Sequence, residues 1–236
     1  MTTILLTGSS RGIGAAAKTA LEARGARVIG QATASDAVDT VPADFSAPFA
    51  ARELWDAALA RAGGAIDVLV NNAGLFAPNP IDGSDLQWLD AWEDTLRINL
   101  TAAAQLARFA VRHWQERDCP GRIVHVASRA GHRGDSPAHW HYAASKGGML
   151  ALHKTIARAH AAEGILSFAI APGFTDTAMA GGYLESRGGE SLLADIPLGR
   201  VAEPEEIAAM IEWCALDAPA SMTGATLDAN GASYVR

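Results

Sequence analysis

Apolar positions in this chain follow two alternating rhythms. Short apolar runs predict strands at Thr3 to Leu6, Arg27 to Gly30, Ile66 to Val70, Arg122 to Val126, Leu166 to Ile170 and Ala225 to Leu227. Between them lie longer stretches with helical periodicity. An Ala-rich segment runs through Arg24 and stops at Gly25. Phe49 to Ala62 carries an apolar stripe at Leu54, Trp55, Ala58 and Leu59. Leu86 to Trp114 reads as a long helical region broken near Arg97 to Leu100, and Tyr142 to Glu163 as a helix ended by Gly164. Pro204 suits a first helical turn, and Glu205 and Glu206 complement the N-terminal dipole of a helix reaching Leu216.

Three stretches lack either rhythm. Residues 31 to 43 read as a loop with at most a fragment of helix, and Ala43 to Phe45 as a strand end. Ser128 to Trp140 reads as a polar loop, and residues 174 to 195, rich in Gly, Ala and polar groups, as a lid. Strands alternating with helices predict an α/β fold: a doubly wound, mostly parallel sheet with helices on both faces. No repeat or composition shift divides the chain, so residues 1–236 are expected to form a single Rossmann-like domain.

Composition narrows the function class. With 49% hydrophobic and 19% charged residues, the 236-residue chain reads as globular rather than disordered. A net charge of −7 argues against a broad nucleic-acid-binding face. Cys119 and Cys214 lie far apart and form no disulfide framework or metal-ligand pattern. With neither a signal peptide nor a membrane-length apolar run, the expectation is a cytoplasmic protein.

The turn Thr7-Gly8-Ser9-Ser10-Arg11-Gly12-Ile13-Gly14 joins the first strand to the first helix. Such a turn presents free backbone N–H groups and the positive end of a helix dipole, which favour a phosphate. It lacks the Gly-Lys-Ser/Thr ending of a P-loop, which disfavours an NTPase. Tyr142 and Lys146 are four residues apart on a predicted helix, one turn above the other. An ammonium so placed favours the phenolate, which would tune Tyr142 for general acid–base work.

These motifs, with Asn71-Asn72-Ala73-Gly74, Asn99, Ser128 and Pro172-Gly173, occur in the order seen in the short-chain dehydrogenase/reductase family, which the chain resembles over essentially its whole length. The resemblance implies an NAD(P)-dependent oxidoreductase moving a hydride between a nicotinamide and a carbonyl or secondary alcohol. Tyr142 then matches the general acid–base, and Lys146 the residue that lowers its pKa and binds the nicotinamide ribose. Ser128 matches the serine that hydrogen-bonds the substrate oxygen, and Asn99 the asparagine that holds a relay water. Asn99 also reads as an amide capping a helix break. The cofactor would lie on Gly8, Ser10, Arg11, Gly12, Ile13, Gly14, Thr33, Asp44, Asn71, Ala73, Gly74, Pro172, Gly173, Thr175 and Thr177, together with Tyr142 and Lys146. Helix capping is the competing reading of Asp44. Where an acidic residue selects NAD(H), this chain has Ala32 and Thr33. Arg11 could pair with a 2′-phosphate or be a surface charge. NADP(H) is therefore expected over NAD(H).

Three departures from the family pattern stand out. Ala32 to Asp44 is too short for the usual helix between the second and third strands. The usual Asp-Gly-Gly near the C-terminus reads Asn230-Gly231-Ala232. Ser128 lies fourteen residues before Tyr142 rather than the usual thirteen. That loop carries Arg129, His132, Arg133, His139 and Trp140, which suggests a polar or anionic substrate such as a sugar or sugar acid, or else a solvated or subunit-contact loop. His139-Trp140-His141 has no carboxylate or cysteine company and is not read as a metal site. Met179, Tyr183, Leu184 and Leu193 of the lid could instead cover an apolar substrate. The expected partners are a small-molecule carbonyl or alcohol and further copies of the chain, as a homotetramer or homodimer, with no nucleic acid and no membrane. The rival readings are a 3-oxoacyl-thioester reductase and, in another class, a nucleotide-binding sensor or scaffold.

Overall fold

The computed structural model describes residues 1–34, 38–177 and 193–236. Its strands are β1 (Thr3–Leu6), β2 (Arg27–Ala32), β3 (Thr40–Pro42), β4 (Val68–Asn71), β5 (Gly121–Val126), β6 (Ile165–Pro172) and β7 (Thr226–Ala229). Among the described residues the helices are α1 (Gly12–Ala23), α2 (Ala50–Arg61), α3 (Asp85–Leu96), α4 (Ala102–Glu116), α5 (Ala130–Arg133), α6 (Trp140–His160) and α7 (Pro204–Leu216). All strands pair in parallel in one sheet, ordered β3-β2-β1-β4-β5-β6-β7.

The strand pleat sorts side chains between two helical layers. Ile4, Leu6, Val68, Val70, Val124 and Val126 pack against Ala17 and Leu21 of α1 and Ile207, Ile211 and Cys214 of α7. Leu5, Ile29, Leu69 and Ile123 face the other way, onto Leu54 and Trp55 of α2 and Leu106 and Ala110 of α4. A strand buried on both faces reads as a continuous apolar run, which is why these segments lack a polar alternation. Helix α7 begins with Pro204 and a reciprocal capping box, in which the Glu206 carboxylate accepts from the Glu203 N–H at 2.8 Å.

The chain builds outward from β1 in one direction through β2 and β3, then in the other from β4. This reversal opens a crevice above the carboxyl ends of β1 and β4.

Three local differences from the sequence reading matter. The segment read as a loop completes β2 and forms β3, whose residues pair with Gly30, Gln31 and Ala32. Three residues are too few to display a period. Only about seven residues separate the end of β2 from the start of β3, fewer than the dozen or so a helical crossover needs. The break in the long helix is a π turn at Arg97–Thr101, where the Ala102 N–H reaches back to the Arg97 carbonyl. The polar loop after Ser128 contains α5, and α6 starts at Trp140, so Tyr142 sits in its first turn. Of the expected lid, Met179, Tyr183 and Leu184 lie outside the described residues, whereas Thr175 bridges in parallel to Ala202.

Candidate active site

A cavity of about 610 Å³ runs along the crevice, from the β1–α1 turn to the loops after β5 and β6. At its near end the glycine turn is locked from three directions. Thr7 Oγ1 accepts from the Asn72 and Ala73 N–H groups at 2.9 and 3.0 Å. Asn72 Nδ2 donates to the carbonyls of Thr7 and Gly8 at 2.9 and 3.1 Å. Gln31, buried within β2, accepts from the Gly8 N–H at 2.8 Å and donates to the Ala43 carbonyl at 2.7 Å. Gly8 has φ +65°, and a Cβ on Gly14 would stand 1.9 Å from the Gly8 carbonyl oxygen. The turn therefore exists only with hydrogen at both positions.

The N-terminus of α1 has no side-chain cap and no acidic residue in its first turn. Its N–H groups and dipole face the cavity where Ser10, Arg11, Gly12 and Ile13 line it. At the far end, Thr175 Oγ1 is buried with no hydrogen-bond partner among the described residues. A cradle closed to any Cβ, an uncapped helix end and an unmet hydroxyl fit a bound dinucleotide. Thr33, Asp44, Ala73, Gly74, Pro172, Gly173 and Thr177 also line this cavity. Asp44 accepts from the Ser46 N–H at 2.9 Å, a bond that holds its carboxyl below the ordinary range. It thus terminates a turn and lines the cavity at once.

Asn71 does not reach the cavity. It shares the pleat of Leu69, so its Nδ2 donates to the Ala103 carbonyl at 3.2 Å and lies 3.4 Å from His125 Nδ1. The next residue, Asn72, faces the turn.

Ser128, Tyr142 and Lys146 converge on the far end. Ser128 follows β5, and α5 packs against α6 where a Cβ on Gly131 would lie 2.7 Å from the Lys146 carbonyl carbon. Ser128 and Tyr142 share a hydrogen bond. The Lys146 Nζ donates to the Val126 carbonyl at 2.9 Å and lies 5.8 Å from the Tyr142 ring centre. The expected lysine-lowered phenol is not what this geometry gives. Burial pushes Tyr142 up to about 12, against the opposing pull of the Ser128 bond. Burial also pulls Lys146 down to about 8. A phenol so placed keeps its proton at neutral pH and can donate it to an oxygen.

Asn99 is fully buried at the π turn and holds the site rather than lining it. Its Oδ1 accepts from the Leu75 N–H at 2.6 Å, and its Nδ2 donates to the Leu75 carbonyl at 2.9 Å and to Ser145 Oγ at 3.1 Å. Ser145 donates in turn to the Tyr142 carbonyl at 2.7 Å. The amide therefore ties the loop after β4 to the turn that carries Tyr142.

The Arg/His cluster divides. Arg129 and Arg133 line the cavity. His139 instead stacks on Phe76 at 4.1 Å, His132 stacks on Tyr234, and Trp140 is 55% exposed on the outside. Phe76 meets the edge of Tyr142 at 4.7 Å and, with Phe174, walls the cavity, although neither aromatic belongs to a motif that singled it out. Gln31 was also missed, although a glutamine inside an apolar strand was a visible signal. Among the described residues no group of three His, Cys, Asp or Glu could hold a metal, and no helix is long and apolar enough to cross a membrane.

A family model described as enoyl-(acyl carrier protein) reductase matches residues 8–231. The chain is 33% identical over 242 residues to 3-oxoacyl-(acyl-carrier-protein) reductase FabG of Salmonella typhimurium, covering 98% of this chain and 96% of that protein. It is 34% identical to 3beta-hydroxysteroid dehydrogenase 1 of Eggerthella lenta, covering 97% and 92%. It is 33% identical to acetoacetyl-CoA reductase of Shinella zoogloeoides, covering 98% and 97%. With its parallel sheet and glycine turn, the chain belongs to the short-chain dehydrogenase/reductase family of NAD(P)-dependent oxidoreductases acting on carbonyl and alcohol groups.

Proposed function

We propose that this protein reduces the carbonyl of a small polar molecule, with NADP(H) preferred, through Tyr142 as proton donor. One observation carries the reading: Ser128, Tyr142 and Lys146 meet at one end of the cavity whose other end is the glycine turn. The hydride to the carbonyl carbon would come from a nicotinamide held in this cavity. Negative charge then grows on the substrate oxygen, where the Ser128 hydroxyl and the Tyr142 phenol donate. Burial keeps Tyr142 protonated, which suits an acid in the reductive direction. Lys146 places an ammonium beneath the same site and would hold the nicotinamide ribose hydroxyls. Asn99 acts through Ser145, fixing the turn that presents Tyr142.

The NADP(H) preference is supported by the absence of a carboxylate at Ala32 and Thr33, where β2 ends, and by Arg11, which lines the same cavity. Free Cys119 and Cys214 suit a reducing compartment, and we place the protein in the cytoplasm as a homo-oligomer. A second reading, reduction of a 3-oxoacyl thioester, is favoured by the names of several relatives.

A spectrophotometric screen of both cofactors against ketones, sugars, sugar acids and acyl thioesters separates the two. The proposal expects turnover of free polar carbonyls with NADPH, and exclusive turnover of thioesters would replace it. If Tyr142→Phe reduced carbonyls at the wild-type rate while binding NADPH, the mechanism would be wrong.

A further inference from the structure

We infer that Gln31 is a positioning residue for the adenosine-diphosphate half of the dinucleotide, keying the phosphate turn to the wall that follows β3. This rests on the oxidoreductase reading above. Gln31 stands near the carboxyl end of β2 on the face of Ile29, and only 3% of it is exposed. A glutamine inside an apolar strand is costly unless both ends of its amide are met. Here both are met by backbone. Its Oε1 accepts from the Gly8 N–H at 2.8 Å, and its Nε2 donates to the Ala43 carbonyl at 2.7 Å. The two ends of an amide differ in kind, so only one orientation satisfies both contacts. The Gln31 carbonyl also accepts from the Ser9 N–H at 2.9 Å and from the Ser9 hydroxyl at 3.2 Å.

The two backbones that Gln31 joins serve different parts of the cofactor site. Gly8 opens the turn that leads into α1, whose N-terminus faces the cavity. Ala43, Asp44 and Phe45 follow β3 and wall the same cavity. In the sheet β2 lies between β1 and β3, so its carboxyl end is where a single side chain reaches the loops after both. Too few residues join β2 to β3 for a helix to brace that wall from behind. The brace is the Ala43 N–H, which donates to the Ala32 carbonyl at 2.9 Å, together with the Gln31 amide. The Gly8 and Ser9 N–H groups are both committed to Gln31, which leaves the phosphates to the N–H groups at the start of α1. A spacing between phosphate turn and adenosine wall that is set in advance need not be ordered when the cofactor arrives, and that raises affinity.

The test is fluorescence titration with NADPH, and its displacement by 2′-phospho-ADP-ribose, which carries the same adenosine end without the nicotinamide. Gln31→Met keeps the length of the side chain and loses both hydrogen bonds. It should weaken both ligands by the same factor, about tenfold to a hundredfold for two lost contacts. KM for NADPH should follow Kd, with kcat falling far less. Gln31→Glu separates positioning from packing. A protonated carboxyl can accept from the Gly8 N–H and donate to the Ala43 carbonyl as the amide does, whereas a carboxylate can only accept. Burial raises such a carboxyl above its ordinary range, so the ratio of variant to wild-type Kd should lie close to one at about pH 5.5 and reach about tenfold by about pH 8. Arg11 and Asp44, the charged residues lining that end among those described, are common to both proteins, so the ratio isolates position 31. Far-ultraviolet circular dichroism at each pH reports folding, and where Gln31→Met does not fold the pH series on Gln31→Glu decides. Wild-type affinity in Gln31→Met, a loss for NADPH that 2′-phospho-ADP-ribose does not share, or a flat ratio for Gln31→Glu overturns the role of Gln31 while the reductase reading stands. Wild-type protein that binds neither NADPH nor NADH overturns both.

Discussion

Replacing Lys146 by Met should make the protein more stable and less active, and the stability gain should have a particular pH signature. Lys146 is 4% exposed, and burial holds its ammonium at about 8 against 10.5 for an ordinary lysine. Below pH 8 the side chain is charged in both folded and unfolded chains, so the folded state bears the full cost of the buried charge. Between about pH 8 and 10.5 the folded chain has released the proton and the unfolded chain has not. The unfolded state then binds more protons, and stability rises with pH. A gap of about 2.5 units corresponds to about 3 kcal/mol. Methionine removes that cost but leaves the Val126 carbonyl without its 2.9 Å donor, worth about 1 kcal/mol. The net gain at pH 7 is about 2 kcal/mol, or roughly 4–8 °C in Tm for a chain of this size. Tyr142 works in the opposite sense. Its folded pKa is raised from 10.0 to about 12, so its contribution is complete below pH 10 and is lost as pH climbs towards 12. Wild-type stability without cofactor, followed by urea unfolding from pH 7 to 11, should therefore climb above pH 8 and turn over near pH 10. Lys146→Met should lose the climb and Tyr142→Phe the fall. A methionine variant no more stable than wild type at pH 7, with the climb intact, would refute the assignment of that cost to Lys146.

Other outcomes follow from the same geometry. Tyr142→Phe should lower kcat by roughly two to four orders of magnitude, measured by NADPH oxidation with the best carbonyl from the screen. Gly14→Ala forces a methyl against the Gly8 carbonyl oxygen and should weaken NADPH binding at least about tenfold by fluorescence titration. Full affinity in that variant would mean that the cradle is not the phosphate site. Asn99→Ala strips both backbone groups of Leu75 of their partners and should cost about 2–4 kcal/mol of unfolding free energy, read by urea melts alongside kcat. Unchanged stability there with activity lost would return Asn99 to a purely chemical role.

Much of the site was legible because it is local. The glycine turn, the Tyr142 to Lys146 spacing and the helix break at Arg97 are patterns within single turns of chain. Asn71 was misplaced by one residue, and the pleat could have corrected it. Leu69 faces α2 and α4, so Asn71 must face the same side and Asn72 the other. The dispersal of His132, His139 and Trp140 was not legible. It depends on α5 and on Gly134, whose φ of +81° redirects the chain after only one helical turn. The raised phenol was equally hidden, because the sequence gives the distance between Tyr142 and Lys146 but not the depth at which both are buried.

The bonds of Asn99 carry a consequence for how the protein reaches its working state. They join residues 24 and 46 positions apart in the chain, and the other parts of the site come from still more distant segments on a wholly parallel sheet. Parallel pairing is built from contacts between remote segments, and such contacts form late and slowly. No fragment of the chain can then hold a working Tyr142, and partly folded forms should be catalytically silent even where their helices are complete. Recovery of turnover during refolding should trail the return of helical circular dichroism and keep pace with the last, slowest phase.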